Sequence, residues 1–132
     1  MTDERKTMTV TKFPETNKRR RGHNFYPPKS IASKIPALYG TEHLDGGDKV
    51  VHLHYFTGAS DWYVVEYDPE SGLAFGWVCL NGDTHNAEWG YMSLSEMEEV
   101  RTAHGPFTTV IERDCYWSKK TMGEVFEKRG HR

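Results

Sequence analysis

The sequence lacks most of the patterns that mark secreted, membrane-spanning and disulfide-bonded proteins. Its 132 residues include two cysteines, Cys79 and Cys115, which form no CxxC pair and belong to no secretory framework. No apolar run approaches the roughly 20 residues of a membrane-spanning helix, and residues 1–10 lack the apolar stretch of a signal peptide. We therefore expect a cytoplasmic protein that has two free thiols and makes no contact with a membrane.

The common motifs of catalysis are absent as well. There is no GxSxG, no HExxH and no glycine-rich loop of the kind that binds phosphate. Cys79 lies in an apolar run, which is typical of an inert buried thiol. Asp68 and Asp83 lie in turns, where bonds to local amides explain an acidic side chain. The sequence therefore predicts a protein that acts by binding, with no catalytic residue and no cofactor.

Charge is divided unevenly along the chain. Residues 1–34 hold nine Lys or Arg against three Asp or Glu, a net charge of +6, whereas residues 35–132 hold eight against sixteen, a net charge of −8. Residues 1–28 also lack periodicity and contain three prolines. They are predicted to form a basic, disordered arm. Residues 29–132 then form a single domain with an acidic surface.

The pattern of residues 29–132 predicts an α+β fold. We expect an antiparallel four- to five-stranded meander sheet, one main helix packed on it, and short helices at both ends of the domain. Strand-like runs cover residues 49–56, 61–67, 73–80, 87–92 and 107–112. Tight turns at DPESG (68–72) and Asn81-Gly82 favour antiparallel pairing, because parallel strands need long crossovers. Ser93 and Glu96 form a capping box for the main helix, which is predicted to end near Gly105-Pro106. Residues 121–128 are predicted to form the last helix.

A series of short signatures runs through the domain. They are PALYGTE at 36–42, VVH at 50–52, YFT at 55–57, DWYV at 61–64, EYD at 66–68, FG at 75–76, EWGY at 88–91, SL at 93–94 and ERD at 112–114. In this order they resemble an uncharacterised family of domains of unknown function that is carried by bacterial plasmids, integrative elements and phages. The resemblance covers roughly residues 30–120 and implies no catalytic assignment. Carriage on mobile elements would imply a role in element maintenance or in countering host defence.

Two histidines suggest a metal site. In a strand over residues 49–56, His52 and His54 share one face, at a spacing that can hold zinc. Glu66, Asp61 or His85 would supply the third ligand. The alternative is a strand whose solvent face simply carries two histidines. The metal hypothesis keeps open a small metal-dependent enzyme that uses His52 and His54.

An acidic surface with exposed aromatic rings is the preferred site. Regular alternation over residues 61–67 places Trp62, Val64 and Glu66 on one face and Tyr63, Val65 and Tyr67 on the other. Trp62 is expected to form an exposed patch beside the two histidines. The residues predicted to contact a protein partner are Trp62, Glu66, Glu88 and Trp89. The partner would belong to a host nucleic-acid-processing or defence system, which the protein would inhibit or modulate, because acidic surfaces speed encounter with basic sites.

The basic arm offers an alternative function. Lys18, Arg19, Arg20 and Arg21 could neutralise phosphates, and the aromatic side chains within residues 23–26 could stack on unpaired bases. The protein would then be a nucleic-acid-binding accessory protein. Two other interpretations remain, a solvated tail and an arm that docks on an acidic surface, including that of the domain itself.

Overall fold

The computed structural model describes residues 13–129, with four α-helices, one 3₁₀-helix (Gly46–Asp48) and nine strands in this range. The helices are α1 (Lys18–Arg21), α2 (Lys29–Ala32), α3 (Leu94–Glu99) and α4 (Met122–Arg129). The strands are β1 (Val50–Val51), β2 (Leu53–Thr57), β3 (Ser60–Asp68), β4 (Leu73–Cys79), β5 (Glu88–Ser93), β6 (Arg101–His104), β7 (Phe107–Val110), β8 (Glu112–Arg113) and β9 (Lys120–Thr121). No helix within residues 13–129 is long and apolar enough to span a membrane.

Five strands form one antiparallel sheet in the order β5–β4–β3–β2–β8. The turn at Asp68 is held by its own carboxylate, which accepts from the amide of Glu70 at 3.1 Å and the hydroxyl of Ser71 at 2.7 Å. Asn81 and Gly82 take positive φ values of 54° and 70°, which suits the second predicted turn. The predicted α+β meander is therefore confirmed, and β5 and β8 are its edge strands.

Both faces of the sheet are covered. The front face packs against residues 13–35 and α3, and its buried side chains include Phe25, Tyr55, Val64, Tyr67 and Leu94. The back face packs against α4, and its buried side chains are Val51, Tyr63, Val65, Met122 and Val125. The alternation of β3 sends neighbouring residues to opposite cores, so the sheet is the middle layer of three.

A β-bulge between Val64 and Glu66 changes the predicted faces of β3. Beyond it, Tyr67 packs into the same core as Val64, although the sequence alternation put these two residues on opposite faces. The regular period of two fails because the bulge adds one residue to β3 without a partner in β4. Glu66 is consequently turned away from the front core.

The main helix is shorter than the sequence predicts, because a two-stranded hairpin takes the place of its last residues. Its start is right, because the Ser93 hydroxyl accepts from the amide of Glu96 at 3.2 Å, but α3 ends at Glu99. Residues 101–104 instead pair with residues 107–110 as a two-stranded ribbon. The Gly105-Pro106 signal is the turn of this ribbon, with Gly105 at φ +59°. The β-branched residues on both sides of the turn suit strands better than a helix.

Residues 13–28 lie against the domain and not apart from it. Phe25 is fully buried and Tyr26 is 5% exposed, both in the front core. The Tyr55 hydroxyl donates to the carbonyl of Phe25 at 2.8 Å. The sequence predicts a disordered arm, but residues 13–28 are packed on the domain in the structure, because their aromatic side chains complete the front core. Residues 1–12 lie outside the described part of the chain.

Candidate functional site

A cleft of about 370 Å³ opens beside edge strand β5 on the back face. We call it the edge cleft, and the lining residues used below are Tyr39, Glu42, Glu66, Phe75, Trp89 and Tyr91. Its wall is a series of rings in contact. Phe75 stacks on Trp89 at 5.8 Å between centroids and meets Tyr91 at 5.0 Å, and Tyr91 meets Tyr39 at 6.3 Å. The outer two rings face water, with Tyr39 61% and Tyr91 49% exposed.

Glu66 fixes the loop that carries Tyr39. Its carboxylate accepts from the amides of Tyr39 at 2.8 Å and Thr41 at 3.0 Å, and from the Thr41 hydroxyl. Lys49 completes the network, since its Nζ donates to the Thr41 hydroxyl at 3.0 Å and to the Thr41 carbonyl. Glu66 is 2% exposed, and its carboxylate oxygens already accept hydrogen bonds from the protein. It therefore positions the loop at the cleft and is not itself available to a partner.

Tyr39 has an unusual backbone conformation. Its φ of 71° lies in the left-handed region, which a bulky residue other than glycine rarely adopts. Such a conformation costs on the order of 1–3 kcal/mol and persists only where the surroundings impose it. Here the bond from the Tyr39 amide to Glu66 imposes it. The result is an aromatic side chain held outward at the mouth of the cleft.

The exposed charged side chains around the edge cleft are acidic. A hydrogen bond to Tyr39, burial, and the charges of Glu66 and Glu42 together raise the pKa of Tyr91 to about 12. Glu42 lines the cleft and is exposed, and Asp45 and Asp48 are exposed on the same loop. Lys49, the cation of this region, is 8% exposed and engaged with Thr41. The solvent-facing charges of this rim are therefore acidic.

The four residues predicted to contact a partner do not form one surface. Glu66 and Trp89 line the edge cleft together. Glu88 is exposed at the start of β5. Because it directly precedes Trp89 in the strand, its side chain lies on the opposite, front face. Trp62 lies on the front face, packs against the front core and lines a different cleft. The sequence prediction missed Tyr39 and Tyr91, which the signatures contain but whose exposure depends on the loop held by Glu66.

His54 is buried between two carboxylates. Its Nε2 lies 2.7 Å from Asp61 Oδ1 and its Nδ1 lies 3.0 Å from Asp114 Oδ2. Its ring stacks on Tyr63 at 4.7 Å and 7°. Both ring nitrogens are therefore occupied, which leaves none to bind a metal. The sequence names Asp61 as a candidate third metal ligand beside His54, but it does not indicate Asp114, which is 60 residues from His54 along the chain.

His52 does not join His54 in a metal site. The sheet ladder is interrupted at His52, between β1 and β2, and its amide bonds the Val64 carbonyl at 2.9 Å. Burial and then the charge of Lys119 lower the pKa of His52 below its ordinary value. No group of three or more His, Cys, Asp or Glu side chains within residues 13–129 has the geometry of a metal site. The predicted exposed patch of Trp62 with the two histidines is not formed either, because Trp62 and His54 lie on opposite faces.

The predicted basic cluster divides into two parts. Arg21 is buried, and its guanidinium pairs with Glu98 at 3.0 Å and donates from Nε to the Ile111 carbonyl at 2.7 Å. Lys18, Arg19 and Arg20 are exposed on α1. The sequence left open that the arm docks on the acidic domain, and Arg21 does so through its pair with Glu98. The other three cations remain open to solvent.

The comparison with known proteins agrees with the sequence signatures. Residues 40–130 match a family described as a protein of unknown function. The chain belongs to the DUF2958 family. No curated protein and no solved structure matches it. The edge cleft lies within the part that matches DUF2958 except for Tyr39, which directly precedes the match, whereas α1 lies outside it.

Proposed function

We propose that the protein is a non-catalytic binding module that takes a basic, extended segment of a protein partner at the edge cleft. The observation that carries the proposal is Tyr39. Its strained backbone is held by the buried Glu66, and its ring is exposed next to Tyr91. A strained, pre-positioned aromatic side chain at the surface is typical of a binding contact, since little side-chain entropy is lost when a partner arrives.

Strand β5 supplies the second element of the proposed interface. It pairs with β4 on one side and is the edge of the sheet. Every second residue of an edge strand directs its N–H and C=O groups outward, where an added strand can bind them. Trp89 and Tyr91 lie on the same face of β5, so alternate side chains of an added strand would contact their rings.

Charge defines the partner's chemistry. Glu42 lines the cleft, and Asp45 and Asp48 lie on the same loop. Lysine or arginine side chains on the partner would meet these carboxylates, and Arg would also stack on the exposed rings. Such attraction mainly raises the rate of association and selects against acidic segments.

The test is a selection of displayed random 12-residue peptides against the full chain, followed by fluorescence anisotropy of the enriched peptides. We expect enriched peptides to carry Lys or Arg alternating with apolar residues. Tyr39→Asn removes the ring and keeps a residue that tolerates positive φ, so affinity should fall about tenfold or more. Tyr116→Asn is the matched control, because Tyr116 is 96% exposed and lies outside the edge cleft.

Different results test the location of the site and the chemistry of the partner. Equal affinities of the Tyr39→Asn and Tyr116→Asn variants would refute the edge cleft as the site. Enriched peptides without an excess of basic residues would refute the proposed partner chemistry. Loss of binding in Glu42→Lys, with binding retained in Glu99→Lys, would support both, since the two exposed glutamates give the same change in net charge.

The proposal also covers the cellular setting of the protein and the identity of its partner. We infer from the resemblance described above that the protein is carried by mobile genetic elements in the bacterial cytoplasm. The basic segment would then belong to a host nucleic-acid-processing or defence protein, whose activity the module inhibits or modulates. Basic segments are common where proteins hold phosphate backbones, which is why an acidic module can compete for them.

A further inference from the structure

The cover of the front face is incomplete at the end of the sheet where β3 begins. A cleft of about 680 Å³ lies there between Trp62 and the β6–β7 ribbon, and a second cleft of about 410 Å³ lies over Val78 and Gly90. Both are lined in part by Asn81 and Tyr91, so they are adjacent. We call the two clefts together the front groove. Trp62 and Val78 are half-buried and extend the front core to its floor.

A strand glycine deepens the floor of the front groove. Gly90 pairs with Gly76, and Gly76 pairs with Val64, whose side chain lies in the front core. Because paired residues of neighbouring strands share one face, a side chain at position 90 would also point to the front. A Cβ added to Gly90 would meet no atom within 4 Å. A strand position that is a glycine with open space above it is typical of a site that another molecule approaches closely.

The ribbon directs an exposed aromatic side chain to the groove side. Thr102 and Thr109 form a cross-strand pair and both line the larger cleft. His104 lines it as well and pairs with Phe107, so Phe107 lies on the same side of the ribbon. Phe107 is nevertheless 71% exposed, and Leu80, which lines the smaller cleft, is 51% exposed. Large apolar side chains left open around one groove are typical of a protein-binding surface.

The charged groups that line the front groove are acidic. Glu96 lines the larger cleft, Asp83 and Glu88 line the smaller one, and all three are exposed. Among the described residues that line either cleft there is no Lys or Arg, and His104 is the remaining titratable side chain besides Tyr91. A basic partner would therefore meet complementary charge at this groove.

A helix suits this surface better than an extended chain. The face of a sheet presents side chains, because the backbone groups of its inner strands are paired within the sheet. An incoming segment must satisfy its own N–H and C=O groups, which a helix does and a lone strand does not. Strands β3 and β5 are two strand spacings apart, about 10 Å, and two helical turns span about 11 Å. Side chains seven positions apart on a helix would therefore reach both Trp62 and the open space at Gly90.

We propose that the front groove binds an amphipathic, basic helix of a protein partner. The apolar side chains of the helix pack on Trp62, Val78 and Phe107. Its Lys or Arg side chains face Glu88 and Glu96. This contact is on the opposite side of the sheet from the edge cleft and takes a different element of secondary structure, so it does not rest on the proposed function.

The test is fluorescence anisotropy of the full chain with three labelled 14-residue peptides. The first places Leu and Lys with the helical period, so that it forms a basic amphipathic helix. The second has the same composition with Leu and Lys alternating, which is the period of an extended chain. The third is the first peptide with Glu in place of Lys. The basic helical peptide should bind, and the acidic peptide should bind at least tenfold more weakly.

The first pair of variants tests the floor of the groove. Gly90→Lys fills the open space and adds a cation, so the affinity for the basic helical peptide should fall about tenfold or more. Gly90 has no positive φ, so a side chain is compatible with its backbone. Ala103→Lys is the matched control. Ala103 is exposed and pairs with Thr108 on the other face of the ribbon, and its substitution should change the affinity about threefold at most.

A second pair of variants tests the ribbon. Phe107→Ser removes the exposed ring and should lower the affinity for the basic helical peptide about fivefold or more. Tyr116→Ser removes a ring that is 96% exposed and lies outside the groove, so it should leave the affinity unchanged. Because Phe107 is an exposed side chain, its loss should not unfold the domain, and far-ultraviolet circular dichroism checks that each variant keeps its fold.

Four results would overturn the proposal. They are no binding of the basic helical peptide at low salt, acidic and basic helical peptides of equal affinity, equal losses in Gly90→Lys and Ala103→Lys, and equal losses in Phe107→Ser and Tyr116→Ser. The alternating peptide identifies the edge cleft. Its affinity should fall in Tyr39→Asn and not in Phe107→Ser, whereas the basic helical peptide should show the reverse, so failure of one site is distinguishable from failure of the other.

Discussion

The pair formed by Glu98 and Arg21 offers the sharpest test of how residues 13–28 are held. Both side chains are fully buried, and their charged groups lie 3.0 Å apart. Glu98 also accepts from the amides of Thr16 at 3.1 Å and Asn17 at 2.8 Å. Burial alone would raise the pKa of Glu98, but these amide bonds, together with Arg21 and the Thr16 hydroxyl, lower it below its ordinary value. The carboxylate is therefore charged and is the centre of the attachment.

The perturbation is Glu98→Gln, which keeps the shape and removes the charge. The Arg21 guanidinium then stays buried with Glu15 as its closest carboxylate, at 3.6 Å. Removing one partner of a buried pair costs about 3–5 kcal/mol, because it leaves the other charge uncompensated. The new amide nitrogen would also face donors. Since Glu15 retains part of the attraction, we expect a loss of about 3 kcal/mol in the free energy of unfolding.

The assay is urea unfolding followed by tryptophan fluorescence. Glu98→Gln should lower the midpoint with an unchanged slope, and Glu99→Gln, the exposed neighbour, should stay within about 0.5 kcal/mol of the natural protein. Replacing Glu98 and Arg21 together with Met should recover part of the loss, because no unpaired charge remains. A loss of less than about 1 kcal/mol in Glu98→Gln would refute the reasoning.

Other predictions use the same assay. Because the pKa of Glu98 is lowered in the folded protein, its contribution is complete above pH 4.5, the ordinary value, and is lost as the pH falls through the folded pKa. Glu98→Gln should flatten this part of the pH profile, and an unchanged profile would contradict the assignment. Glu66→Gln should cost about 1–3 kcal/mol, because the new amide faces backbone donors, and an equal loss in Glu99→Gln, at an exposed position, would argue against a specific role. Gly76→Ala should cost about 3 kcal/mol or more, since the added Cβ would lie 1.8 Å from a carbonyl of β3, and a stable variant would exclude this close approach. Asp114→Asn should lower the urea midpoint, since His54 loses one carboxylate, whereas Asp48→Asn, which replaces an exposed carboxylate, should leave the midpoint unchanged.

Much of the fold could be predicted from the sequence because the deciding signals are local. The Asn81-Gly82 turn, the Ser93 cap and the apolar pattern of residues 122–126 each act within a few residues. Each of these features is present in the structure. The predicted end of α3 was wrong because a Gly-Pro pair such as Gly105-Pro106 can either end a helix or form the turn of a two-stranded ribbon. Pairing with residues 107–110 decides between the two, and pairing is a tertiary effect.

The candidate sites could be predicted only in part because they depend on long-range contacts. Glu66 acts on residues 25 and 27 positions away, and Glu98 acts on residues 77 to 82 positions away. No local pattern marks such partners. The bulge in β3 also shifted the face of Glu66, and a strict alternation cannot show where a strand gains a residue.

The uneven charge of the sequence has a definite arrangement in the folded chain. Burial of Arg21 against Glu98 removes one cation and one anion from the surface and fixes α1 beside the ribbon. The remaining cations of α1 face solvent near the front face, whereas Glu42, Asp45 and Asp48 face solvent near the back face. Because about 8–10 Å of water at ordinary salt screens charges from one another, these two groups of charges act separately on an approaching molecule. The net charge of −2 does not show this separation of the two signs.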